Sequence, residues 1–139
     1  MQYKKFDNTI VVRLDPNDEI ISQLLFIAET ENIKLAMINA LGTTGDCTMG
    51  AYNVAEQKFY QKEYKGAFEI VSLHGSITKN DEKPYVHVHM SIGDKEGNLY
   101  GGHLSRAIIS ATCEIFITVI DGEIGRVKSM ETGLNIFDL

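Results

Sequence analysis

One segment of the sequence alternates strictly between apolar and polar side chains, and this alternation limits the possible folds more than any other feature. Within residues 85–93, one set of side chains is apolar and the set between them carries polar groups: Val86, Val88, Met90 and Ile92 against Tyr85, His87, His89 and Ser91. Successive side chains of a β-strand point to opposite faces, so this period of two predicts a strand with one buried face. The apolar set predicts the core face, and His87 and His89 therefore share the opposite face.

The turn after this strand predicts which residue lies across from the two histidines. Residues 94–98, Asp-Lys-Glu-Gly-Asn, suit a three-residue hairpin loop with Gly97 in the left-handed conformation. In that register His89 pairs with His103 on the next strand. Directly opposed side chains point to the same face, with Cβ atoms about 4.5–5.5 Å apart. We therefore expect His87, His89 and His103 to converge, provided that no further bulge changes the parity.

Three imidazoles on one patch suit a divalent metal ion. Neutral imidazole is a borderline ligand that binds zinc at about 2.0–2.1 Å, and three protein ligands leave a fourth position for water. Glu114, on the less apolar face of its strand, is a candidate fourth ligand, partner of a ligand or general base, and Glu69 is a further candidate. The alternative is a solvent-facing patch that holds histidines without a metal. His74, beside Gly75, is interpreted as structural.

The remaining patterns predict an α+β fold with one main helix and about eight short strands in a mostly antiparallel sheet. The first seven residues are interpreted as a loose end. Asp15 and Pro16 predict the start of the helix, and Asn32 predicts its left-handed end. Residues 42–45, Gly-Thr-Thr-Gly, are interpreted as a turn between two strands. The length of 139 residues is typical of one domain, spanning 1–139 with a core at about 9–137.

Composition excludes several classes of protein. Lys and Arg number 13 against 19 Asp and Glu, and the net charge of −6 opposes binding to nucleic acid or an anionic membrane. The sequence has no stretch of about 18 apolar residues, so we expect no transmembrane helix. Two cysteines and an N-terminus without a signal-peptide pattern predict a reducing, cytoplasmic location. Cys113, in an apolar stretch, is interpreted as a small core residue.

The cupin fold is an alternative explanation of the histidines, because cupins also combine a His-x-His motif with a glutamate and a later histidine. In this sequence the next acids after His89 are Asp94 and Glu96, which fall in the predicted turn. A long helix near the N-terminus also fits that family poorly. The cupin fold is therefore kept as a minor alternative.

Three sequence blocks resemble the plants-and-prokaryotes conserved (PPC) domain. They contain Glu-Ile-Val-Ser-Leu, His-x-His and Gly-Gly-His motifs in this order and lie at Gly66–Gly75, Pro84–His89 and Gly97–Leu104. The resemblance runs from about residue 9 to residue 137. It implies an antiparallel sheet beside one helix, and a homotrimer. Because bacterial and archaeal members carry three histidines as a metal site, it also implies a site at His87, His89 and His103.

These observations leave three functions open. The first is a homotrimeric PPC-domain protein with a zinc or similar divalent ion, acting in regulation or in binding a small anionic or carbonyl ligand. The second is a zinc-dependent hydrolase or lyase that uses a metal-bound water, with Glu114 or Glu69 as base. The third is DNA binding, which descriptions of the family mention. Three scattered arginines, the negative charge and the missing Arg-Gly-Arg hook disfavour it.

Overall fold

A computed structural model describes the whole chain, residues 1–139. It contains one α-helix, α1 (Ile20–Thr30), and eight β-strands. The strands are β1 (Gln2–Phe6), β2 (Thr9–Leu14), β3 (Ala36–Asn53), β4 (Lys58–Asn80), β5 (Lys83–Gly93), β6 (Leu99–Val119), β7 (Gly125–Lys128) and β8 (Asn135–Asp138). The predicted fold class, α+β with a mostly antiparallel sheet and one main helix, is confirmed.

The main sheet has six strands in the order β1-β2-β6-β3-β4-β5. The long strand β6 pairs with β3 along one edge, and with β5 and then β2 along the other. Because β5 and β6 pair, strands β3, β4, β5 and β6 close into a ring. Strands β7 and β8 form a separate hairpin that packs against β4. The ring is what brings the start of β6 beside β5.

The inner face of the sheet and one stripe of α1 form the core. The helix buries four residues: Ile20, Leu24, Ile27 and Ala28. Strand β5 buries Val88, Met90 and Ile92, three of the four apolar residues of its alternating pattern, and Val86 is half-buried. Removing such apolar surface from water is the main favourable term in folding. The 11-residue α1 is the only helix, and it is too short to cross a bilayer.

Both cysteines belong to this core. Cys47 and Cys113 are unpaired and fully buried. Burial raises the pKa of the Cys47 thiol to about 11 and that of Cys113 to about 12, because an apolar surrounding disfavours the thiolate. Both thiols are therefore protonated at neutral pH, as expected for small core residues rather than redox centres.

The N-terminal segment is ordered, so its interpretation as a loose end is wrong. Strand β1 pairs with β2 along its whole length. The amino group of Met1 lies 2.9 Å from carboxylate oxygens of both Asp15 and Asp18. These contacts occupy the carboxylate of Asp15, which the sequence predicts as the helix cap.

The helix begins later than predicted. Its cap is Glu19, whose carboxylate accepts hydrogen bonds from the backbone N–H groups of Ile21 and Ser22 at 3.1 and 2.7 Å. A turn precedes it, with the left-handed Asn17 (φ 73°) donating its N–H to the Ile109 carbonyl oxygen. The predicted left-handed end at Asn32 is confirmed, with φ 51°.

Residues 42–45 form no turn, and this prediction is wrong. Strand β3 continues through them, and shifts of register in its pairing with β4 mark bulges on either side of Gly42–Thr44. At Gly42 a Cβ atom would lie 2.4 Å from the carbonyl oxygen of Thr112. The glycine therefore serves the close approach of β3 and β6 at this point. The local sequence Gly-Thr-Thr-Gly is typical of a turn. Pairing with β4 and β6 holds these residues in an extended strand instead.

Candidate metal centre

The hairpin between β5 and β6 has the register that the turn sequence predicts. Asp94 donates its N–H to the Asn98 carbonyl oxygen at 3.1 Å, and the Asp94 carboxylate accepts the Asn98 N–H at 2.9 Å. Gly97 adopts φ 84°, the left-handed conformation expected of it. His89 pairs directly with His103, without a shift of register between β5 and β6. No bulge therefore changes the face to which side chains point before the third histidine is reached.

The three predicted histidines converge. The ring centroids are 5.2 Å apart for His87 and His89, 5.1 Å for His87 and His103, and 5.4 Å for His89 and His103. One ring nitrogen of each lies within 4.8 Å of the others. Zinc–nitrogen bonds of about 2.0–2.1 Å in tetrahedral geometry place neighbouring nitrogens about 3.4 Å apart. Small side-chain rotations close this histidine cluster on an ion, so the donor set fits a divalent metal.

Close backbone packing holds the cluster in place. At Gly75 on β4 a Cβ atom would lie 2.1 Å from the carbonyl oxygen of His87. At Gly102 on β6 it would lie 2.4 Å from the carbonyl oxygen of Gly50. Phe59 packs edge-on against the His103 ring at 5.6 Å between centroids. The two glycines let neighbouring strands approach closely, and the aromatic contact orients one ligand ring.

The electrostatics of the cluster favour neutral imidazoles. Burial first, and then the positive charges of His103, Arg126 and His89, lower the pKa of His87 to about 4. Burial and then the charge of His89 also lower the pKa of His103. At neutral pH these two rings are therefore uncharged. A neutral imidazole keeps the lone pair that a metal ion requires.

The fourth histidine lies on the same face but outside the cluster. His74 on β4 pairs in register with His89. Its Nδ1 lies 2.6 Å from Oδ1 of Asn39, and a carbonyl oxygen accepts, so Nδ1–H donates. His74 thus has a hydrogen-bond partner within the fold, in agreement with its interpretation as a structural residue.

The sequence matches the profile of the Plants and Prokaryotes Conserved (PCC) domain over residues 1–121. The chain belongs to this family. The three sequence blocks resemble this same family, abbreviated PPC above. The match replaces the cupin alternative. A comparison with curated proteins found no match.

Solved structures share the PCC fold over nearly the full chain. A metal-containing protein from Archaeoglobus fulgidus is 29% identical, with a TM-score of 0.90, and the match covers 100% of this chain and 99% of the other. A PPC protein from Pyrococcus horikoshii is 27% identical, with a TM-score of 0.87 and coverage of 99% and 94%. A protein from Bacteroides thetaiotaomicron, provisionally named DNA binding, is 28% identical, with a TM-score of 0.95 and coverage of 99% and 96%.

The two candidate carboxylates lie away from the histidine cluster of this PCC domain. Glu69 pairs with Gly93, four residues along β5 from His89, which corresponds to about 13 Å of strand. Glu114 lies on β6 eleven residues beyond His103, a path of roughly 36 Å along the strand. No carboxylate oxygen belongs to the cluster. Within one chain, neither glutamate is placed to ligate the same ion.

Sequence reasoning assigned no role to Arg126, which the fold places near the cluster. From β7 its guanidinium packs over the rings of Tyr85 and Phe137, at 4.5 and 4.7 Å from their centroids. Tyr85 is two residues before His87 and shares its face of β5. The alternation places Tyr85 on the histidine face, but no local pattern indicates where β7 docks.

The lysines at positions 62 and 65 of β4 lie among acids and form no basic patch for DNA. Lys62 and Lys65 line a surface cleft of about 610 Å³ together with Glu63, Asp94 and Glu96. The Lys65 ammonium lies 3.6 Å from the Glu63 carboxylate. Phosphate binding needs an uncompensated positive surface. This cleft does not provide one.

Proposed function

We propose that this PCC domain binds one zinc ion per chain through the histidine cluster and presents the remaining coordination position to a small-molecule ligand. The observation that carries the proposal is the convergence of three imidazoles from two strands, with nitrogens within 4.8 Å of one another. The metal-containing protein from Archaeoglobus fulgidus, 29% identical over the full chain, supports it. Imidazole ligands without thiolates or carboxylates are typical of zinc, which makes this ion the first choice.

Ligand binding or regulation is the role that the site supports best. A bound ion supplies a Lewis acid that can hold an anionic or carbonyl group. The protein holds His89 and His103 opposite each other by strand pairing, and Phe59 restricts the His103 ring. No carboxylate oxygen is among the converging ligand atoms, so within one chain no carboxylate is placed to ligate the ion. The two buried, unpaired cysteines fit a reducing compartment such as the cytoplasm.

The metal content of the untagged protein tests this proposal. After loading with zinc and extensive dialysis, we expect about one zinc per chain by plasma mass spectrometry, because three convergent ligands retain the ion. Competition with a chromophoric chelator then measures the affinity. Protein that holds no zinc, cobalt, nickel, manganese or iron after loading would reject the metal function.

A homotrimer is the assembly that we propose. Four apolar side chains on the outer face of the adjacent strands β6, β3 and β4 are 50–57% exposed: Met37, Leu41, Val71 and Phe116. Clustered apolar side chains on a surface are typical of a protein interface. We expect a mass by light scattering near three times the 15.5 kDa of one chain. A mass of one chain at micromolar concentration would contradict the trimer.

A further inference from the structure

Arg126 differs from the two other arginines of the chain because it has no acidic partner. Arg13 lies 2.9 Å from Asp15 and Arg106 lies 3.1 Å from Asp46. No carboxylate lies within 4.0 Å of Arg126, although this arginine is the most enclosed of the three. Burial disfavours its charge and lowers its pKa. A partly buried cation without a counter-charge is costly, so an anion from outside the chain would stabilise it.

The guanidinium is rigidly held, and one of its nitrogens is left without a partner. Nε donates to Oγ1 of the buried Thr78 at 3.0 Å, and Nη1 donates to the Asn135 carbonyl oxygen at 2.8 Å. The rings of Tyr85 and Phe137 both contact the group. Nη2 has essentially no exposed area and no hydrogen-bond partner, the only buried side-chain nitrogen or oxygen of which this is true. Unsatisfied buried donors are rare and point to a missing ion, ligand or water.

The Arg126 guanidinium lies on the face of β5 that carries the histidine cluster. Tyr85, on which the guanidinium stacks, and His87 are successive residues on one face of β5, about 6.6–6.8 Å apart along the strand. Phe137 covers the guanidinium from β8, and this ring is 42% exposed at the surface. A ligand of Nη2 has to displace a group that covers this nitrogen, and Phe137 is the exposed candidate.

We propose that Arg126 is a specificity-determining residue that binds, together with the metal ion, a small oxyanion of the carboxylate class. The inference rests on the proposed metal function and names the ligand class of that site. With an ion held by the three histidines, the carboxylate would bind the ion through one oxygen and accept a hydrogen bond from Nη2 through the other. Guanidinium and carboxylate match in geometry, and such charge-assisted bonds are about twice as strong as neutral ones. A neutral carbonyl ligand lacks the negative charge that the metal ion and the Arg126 guanidinium together favour.

Acetate binding to the cobalt-loaded protein tests the proposal. Cobalt(II) replaces zinc in tetrahedral sites, and its visible spectrum reports a change in coordination without any enzymatic assay. We expect acetate to shift this spectrum saturably, whereas sodium perchlorate at equal ionic strength does not. Arg126→Gln and the charge-preserving Arg126→Lys should both weaken acetate binding by about tenfold or more, as expected for a lost hydrogen bond to a charged group. Arg106→Gln removes an exposed arginine elsewhere and should leave acetate affinity unchanged.

The outcomes separate this inference from the metal function. Cobalt stoichiometry and the thermal melt of each variant show that the cluster and the fold are intact. Wild-type protein that binds no cobalt would reject the metal function itself. Cobalt binding with equal acetate affinity in all variants would leave the metal function standing and overturn the role of Arg126. Loss of the oligomer in the Arg126 variants, with no acetate response in wild type, would also overturn it, because a second copy would then supply the carboxylate.

Discussion

His89→Ala is expected to abolish zinc retention. The substitution leaves two histidine ligands. Mutation of a residue that only supports a ligand typically lowers metal affinity by about 10–100-fold, and loss of a ligand is expected to cost more. His89 is exposed on the outer face of β5, so its removal leaves no cavity in the core. We expect about one zinc per chain in wild type and none in the variant after dialysis, with an unchanged circular dichroism spectrum. Plasma mass spectrometry on the two proteins, loaded side by side, measures the difference.

The matched control is His74→Ala. His74 lies directly opposite His89 on the neighbouring strand, is also exposed, and bonds Asn39 instead of joining the cluster. This variant should keep its zinc. Equal retention by wild type and His89→Ala would show that the cluster is not the site, and loss from His74→Ala would extend the site to a fourth histidine.

Gly75→Ala is expected to destabilise the fold and weaken the metal site together. The new Cβ would lie 2.1 Å from the His87 carbonyl oxygen and 2.7 Å from the Cα of Val88. These are backbone atoms, which side-chain rotation cannot relieve, so β4 and β5 must separate. Overpacking of this kind costs about 1–3 kcal/mol, sometimes more. Urea denaturation of the metal-free protein measures the free energy of unfolding, and chelator competition measures the zinc affinity.

Gly45→Ala is the control for the effect of a methyl group on a strand glycine. At Gly45 the nearest atom to a new Cβ is the Ser110 Cβ at 3.6 Å, an ordinary contact. We expect a change within about 0.5 kcal/mol, as for most substitutions outside the core. If both variants unfold at the same urea concentration as wild type, the close approach of β4 and β5 has no energetic role.

The predictions that held depend on short-range patterns. The hairpin of β5 and β6 is defined by one turn of known chemistry, and the side chains alternate on both sides of it. The pairing of His89 with His103 therefore follows from residues 85–103 alone. The left-handed Asn32 and Gly97 follow from equally local reasons, since both residue types tolerate positive φ.

The predictions that failed concern segments whose surroundings override local preference. Residues 2–6 carry no strong apolar pattern, and they become a strand because β2 offers them a free edge. Asp15 has the chemistry of a helix cap, but the amino group of Met1 occupies its carboxylate and Glu19 takes the role. Gly42 looks like part of a turn, yet it sits inside β3 where β6 approaches closely.

The sequence by itself determined the fold class, the face of β5 that carries the histidines and the convergence of the cluster, because strand periodicity and turn chemistry act over a few residues. Only the tertiary structure decided that Glu69 and Glu114 lie away from the cluster and that Arg126 lies near it. Those positions depend on how the sheet closes and where the β7–β8 hairpin docks. Both arise from packing between segments that are distant along the chain, and no local periodicity specifies such packing.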